Sequence, residues 1–246
     1  MKKSNWLILL GSLLVLLSAI IYYLQVEIFA KTTDTFFYLF QDLAFVPIQV
    51  LFVTLIISGL LDRREKRIML EKMNMVMGTF FSEVGTKLLV YFSDFDPDLP
   101  EIRKQLVVTK DWSEEEFFRV EKELKNYKYG VDINKVDLDV LKHFLMDKRD
   151  FLVRLLENPI LLEHESFTEV LRAVFHFTEE LTARESLKNL PPSDYDHLSA
   201  DIKRAYTLLV HQWLDYMKYL KDNYPYLFSF AMRTNPFDQE TSPIVK

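Results

Sequence analysis

The stretch from Thr35 to Asp94 constrains this chain most: an apolar run continues across the basic cluster Arg63, Arg64, Lys66 and Arg67 into an amphipathic pattern. A helix that is apolar on every side needs an apolar surrounding, so residues 35–61 are predicted to span a membrane. Pro47 fixes where that helix starts. Beginning at Pro47 it would reach only about 22 Å, short of the roughly 30 Å of hydrocarbon. The start therefore moves back to the vicinity of Asp34, a suitable N-cap, with Phe36, Phe37, Tyr38 and Phe40 as an aromatic belt and Pro47 as a kink.

An earlier uncharged run, residues 6–24, gives about 28 Å of helix and is expected to pair with the second span as a hairpin. It exceeds the usual signal-peptide core, so a retained anchor is expected. Asp42 and Gln49 then share one face. Asp42 is expected at headgroup depth and Gln49 to bond across to Ser12 or Ser18; an ion path lined by both is the functional alternative. Lys2 and Lys3 lie before the hairpin and Arg63, Arg64, Lys66 and Arg67 after it, whereas the connection holds Lys31 beside Glu27 and Asp34. The positive-inside rule then places both termini in the cytoplasm of an inner-membrane-type protein.

From Ile68 the residues Met69, Met73, Val76, Phe80, Val84, Leu88 and Tyr91 recur every three or four positions, an amphipathic helix with no break from the preceding span. Asn74, Gly78 and Ser82, with Gly85 after them, form a narrow second line suited to close helix packing, either inside the domain or in a homodimer. Ser113 and Glu116 spell a capping box, with Trp112 and Phe117 as its hydrophobic staple. Asp137 to Glu157 reads as the next helix. Ser166 and Glu169 repeat the capping signature before a segment so apolar that it belongs mid-bundle, and a long seam follows from Ser193 to about Asn223. Pro225 suits the first position of a short last helix.

The expected architecture is all-α: a two-helix transmembrane hairpin over 1–61, a basic collar and juxtamembrane helix over 62–94, a cytoplasmic multi-helix bundle over 95–233 and a flexible tail over 234–246. Five glycines are too few for a turn-rich β fold.

Chemistry is constrained mainly by exclusion. Without cysteine there are no disulfides, thiolate metal sites or cysteine nucleophiles. A net charge of −6 with no basic face beyond the collar disfavours nucleic acid. Phosphate-loop, hydrolase-elbow, HExxH and ExxH patterns are missing, so no catalytic motif is recognised and no cofactor is expected. One regularity remains: His143, His176, His197 and His211 are each followed four residues later by an acid, namely Asp147, Glu180, Asp201 and Asp215. On a helix each pair shares a face. His176 with Glu180 and His211 with Asp215 stand out as candidate metal ligands, because those histidines fall mid-helix in the most apolar segments. The leading functional expectation is a membrane-anchored helical interaction, signalling or scaffold module whose partners are the bilayer and a second copy or another protein. The alternative is a metal- or small-ligand-binding helical domain, and a weaker one an oligomeric channel.

Overall fold

A computed structural model describes residues 32–162 and 164–244, with scattered positions between 16 and 28. The described residues are helical with no strand, and helix makes up 79% of the structure. In order, the helices are α1 (Thr32–Phe80), α2 (Thr86–Asp94), α3 (Leu99–Arg103), α4 (Glu114–Asn126), α5 (Leu138–Leu156), α6 (Pro159–Leu162), α7 (Glu165–Ala183), α8 (Pro192–Asn223) and α9 (Pro225–Arg233). A π-helical turn, Phe81–Gly85, joins α1 to α2. The chain divides into two compact units, Met1–Lys66 and Arg67–Lys246.

Among the described residues, no helix is long and apolar enough to cross a membrane. This overturns the transmembrane hairpin and, with it, the inner-membrane location with both termini inside. The physical reason is polarity: Asp42 and Asp62 bound the apolar part of α1, Gln49 lies within it, and a charged stretch through Arg67 follows. Asp42, Gln49, Arg63, Arg64, Lys66 and Arg67 all lie exposed on α1, and Arg67 pairs with Glu71 one turn on, at 3.1 Å. The expected first span, 6–24, and Ser12 and Ser18 fall largely or wholly outside the described residues.

In the second unit α7 packs between α5 and α8, the middle position its apolar circumference demands. Phe167, Val174, Phe177 and Leu181 of α7 are fully enclosed. Aromatic edges knit the core: Phe80 meets Phe167 with ring centroids 5.4 Å apart, and Phe92 meets Phe177 and Tyr206 at 6.3 and 5.9 Å. Local signals set several helix ends. Ser113 and Glu116 cap α4 reciprocally, and the Trp112 and Phe117 rings close the staple at 4.9 Å. Asp137 caps α5, and Pro225 opens α9.

Ser166 departs from its expected role. It lies inside α7, its hydroxyl donating to Gln212 Oε1 at 2.9 Å, while the His164 ring accepts the Phe167 N–H and caps the helix. Gln212 is buried on the α8 seam, and an unpaired amide there costs more than a displaced cap. The 234–246 segment begins in the core, with Phe237 buried against Trp213 at 5.0 Å and Asn235 donating to the Leu106 carbonyl at 2.9 Å.

A buried polar cluster sits beneath the turn after α2. Asp96 accepts from the Tyr127 hydroxyl at 2.8 Å and from the Asp98 N–H at 3.1 Å. The Tyr129 and Tyr206 hydroxyls are also buried and make no hydrogen bond of full geometry, although Tyr206 approaches Asp96 closely enough to favour its charged form weakly. Burial raises the Asp96 pKa above its usual value, opposed by the Tyr127 hydrogen bond.

Candidate metal centre

The last turns of α7 and the first turns of α8 run side by side because the connection between Ala183 and Pro192 is short, and short helix connections make antiparallel neighbours. His176 stands about two turns before the end of α7; His197 and Asp201 stand a similar distance after the start of α8. Equal offsets from one connection bring them level. Nitrogen and oxygen atoms of His176, His197 and Asp201 all lie within 4.8 Å of one another.

Glu180, one turn beyond His176, adjoins this group of three through both histidines. His176 Nε2 is 3.8 Å from Glu180 Oε1 and 3.6 Å from Asp201 Oδ1. His197 Nε2 is 3.5 Å from Glu180 Oε2 and 3.4 Å from Asp201 Oδ2. These separations exceed ordinary hydrogen bonds. They lie near the edge of a zinc tetrahedron, about 3.4 Å when metal–ligand bonds are about 2.1 Å, with each imidazole facing a different oxygen of each carboxylate. Asp201 Oδ2 is shut away from solvent with no hydrogen-bond partner, a lone pair left unused although the Asp201 side chain is only 12% exposed. Both imidazoles are about half exposed, at 48% and 50%, so the cluster opens outward.

Arg184 braces the rim. Its guanidinium donates to Glu180 Oε2 at 2.8 Å and forks onto both Asp194 oxygens at 2.9 and 2.6 Å. That hydrogen bond holds the Glu180 carboxyl below the usual range against the cost of burial, with the charges of Arg184, His197 and His176 adding to it. Two imidazole nitrogens and two carboxylates suit a borderline divalent cation such as zinc, cobalt, nickel or manganese.

Of the metal ligands expected from sequence, His176 and Glu180 enter this cluster and His211 and Asp215 do not. His211 lies ten residues past Asp201 on α8, about 15 Å along the helix. Its ring lies tilted at 56° to that of Tyr129 with centroids 6.1 Å apart, and burial lowers its pKa. Asp215 instead lines a small cleft with Phe117, Phe118 and Lys218. His143 turns away from Asp147 to the carbonyl of Asp139, at 2.7 Å. Arg184 and Asp194 were not singled out from sequence; the available signal was their position flanking the connection that pairs α7 with α8.

Asn74, Gly78, Ser82 and Gly85 lie along the C-terminal end of α1 and the π-turn. Gly78 faces Tyr216, whose hydroxyl would lie 2.6 Å from an added Cβ, and Gly85 faces the rings of Phe81 and Phe80. Asn74 Nδ2 donates to the Leu70 carbonyl at 2.8 Å.

Comparison with known proteins places the chain. Residues 69–233 match the family described as uncharacterized protein MJ1433, C-terminal helical domain, and residues 2–61 match the MJ1433 N-terminal helical domain. The chain belongs to this family. It is 47% identical over 241 residues to a Methanocaldococcus jannaschii protein described as uncharacterized protein MJ1433, covering 98% of this chain and 97% of that protein. Both family domains are described as helical, as the described residues here are. No solved structure matches the chain.

Proposed function

We propose that the C-terminal helical domain is a non-enzymatic divalent-cation-binding module, with His176, His197 and Asp201 as ligands and Glu180 as a fourth donor. The observation that carries this reading is the Asp201 carboxylate, whose Oδ1 and Oδ2 face His176 Nε2 and His197 Nε2 at 3.6 and 3.4 Å and whose buried Oδ2 makes no hydrogen bond. A bound cation would tie α7 to α8 and favour the folded bundle, since any ligand that binds only the folded state stabilises it. Zinc is the first cation to test, because a two-imidazole, two-carboxylate set matches its ligand preferences.

The experiment is zinc titration of the chelator-treated full chain by calorimetry and thermal unfolding. At a free zinc concentration one hundred times the dissociation constant, stabilisation is about 2.7 kcal/mol, or roughly 5–10 °C for a domain of this size. His197→Gln and Asp201→Asn each abolish the shift, whereas His211→Gln leaves it unchanged. If zinc, cobalt, nickel and manganese all give no heat and no shift, or if His197→Gln responds like the parent chain, the cation reading is wrong.

A second reading, a helical interaction or scaffold module, is favoured by the apolar side chains exposed along α1, among them Phe36, Phe52, Leu55 and Ile56. Exposed apolar surface on this scale marks a binding face, and a protein surface is the partner proposed.

A further inference from the structure

A pocket of about 610 Å³ opens where the inner end of α1, the π-turn, the end of α8 and α9 converge. It follows from local sequence choices. Gly78 has no side chain, which lets the Tyr216 hydroxyl approach to where a Cβ would stand, 2.6 Å from it, and so sets the pocket wall. The Phe81–Gly85 segment is π-helical, a widening of the helix that recurs at binding sites. Phe81 stacks on Tyr216 with centroids 5.3 Å apart and planes 14° from parallel, which makes one wall rigid and flat. Leu220, Leu227 and Ala231 complete a mostly apolar lining.

The lining has two properties that select a ligand. First, none of the described residues around it carries a charge; the polar members are Asn74, Thr79, Ser82, Thr86, Thr234 and the tyrosines. An ionised ligand would lose its hydration with no counter-charge in return. Second, the Tyr219 hydroxyl, at the pocket beside Tyr224, is buried and makes no hydrogen bond of full geometry, its Tyr224 and Asn74 neighbours approaching only loosely. Burial, followed by a loose hydrogen-bonding approach to the Tyr224 hydroxyl, pushes this phenol up to about 12, so it remains protonated at every physiological pH. Asn74 donates one amide N–H to the Leu70 carbonyl at 2.8 Å and turns its side chain toward Tyr219. A cavity of this size falls within the range of small-molecule sites, which pair an apolar lining with a few placed polar groups.

We infer that this pocket is a binding site for a neutral, largely apolar small molecule bearing a carbonyl-type acceptor, which receives the Tyr219 hydroxyl. The inference is independent of the cation reading, because His176 and His197 do not line the pocket.

The test uses Nile red, a neutral fused-ring dye with a carbonyl, titrated into the full chain and followed by its emission shift. One saturable site is expected. Ala231→Trp fills the pocket and abolishes that site. Tyr219→Phe keeps the shape but removes the donor and weakens binding roughly five- to tenfold, the fold-change that one lost hydrogen bond produces. Leu55→Ser on α1 and His197→Gln leave binding unchanged. Circular dichroism confirms that each variant is folded, and Tyr219→Phe alone decides the matter should Ala231→Trp unfold. Non-saturable emission, or a saturable site indifferent to Tyr219→Phe, overturns the inference; so does loss of the site in Leu55→Ser, since the dye would then be reporting the exposed face of α1.

Discussion

Two tyrosines beside Asp96 should respond in opposite directions to the same substitution. Tyr127 donates to Asp96 at 2.8 Å, and a hydrogen bond to a charged group contributes about 1.5–3 kcal/mol. Tyr127→Phe should cost that much, because it leaves the buried carboxylate with one donor fewer. Tyr206 is fully enclosed, and its hydroxyl has no partner at acceptable geometry. A buried, unpaired polar group costs about 1–3 kcal/mol. The void left by removing one oxygen costs only a few tenths, at about 24 cal/mol per Å³. Tyr206→Phe should therefore stabilise the protein by about 1 kcal/mol, roughly 2–4 °C. The ring contacts with Phe92 and Tyr129, at 5.9 and 5.2 Å, are retained. Urea unfolding of the full chain by far-ultraviolet circular dichroism measures both effects, provided that the slopes agree. A loss of 1.5 kcal/mol or more in Tyr206→Phe would refute the reasoning, since its hydroxyl would then have to be a working partner of Asp96.

Two further predictions follow from charge and surface. Burial raises the folded-state pKa of Asp96 above 3.8, so its contribution is fully present below that value and is lost as pH rises through the raised one. Asp96→Asn, which never ionises, should gain on the parent chain across that window and then hold a constant advantage; a pH-independent difference in urea midpoints would sink the idea. If the exposed apolar face of α1 is an interaction surface, the full chain should self-associate or retain a protein partner in sedimentation, and Leu55→Glu with Ile56→Glu should weaken that association at least tenfold. A parent chain that sediments as a monomer at every concentration and alone in extracts would remove the scaffold reading.

Much of the fold was legible because the signals that set helices are local. Ser113 and Glu116, Asp137 and Pro225 each act within one helical turn, and the structure uses them as the sequence spells them. The apolar circumference of Phe167 to Leu181 likewise placed α7 at the centre. Ser166 shows where locality ends: its capping signature is intact in sequence, but a buried amide on another helix takes its hydroxyl. The membrane hairpin failed for a related reason. Its evidence was hydropathy and the distribution of charge, whereas among the described residues no helix is long and apolar enough to cross a membrane.

The sequence by itself determined the helical class, the absence of cysteine chemistry and the pairing of histidines with acids one turn away. Only the tertiary structure decided which of those pairs meet. His176 with Glu180 and His197 with Asp201 are joined because α7 and α8 fold back through a short connection that brings equal offsets level. His211 is carried about 15 Å further along the same helix and left out. A helix repeats every 3.6 residues and so fixes its own faces, but which face meets which neighbour depends on the register between helices, and no residue encodes that register alone.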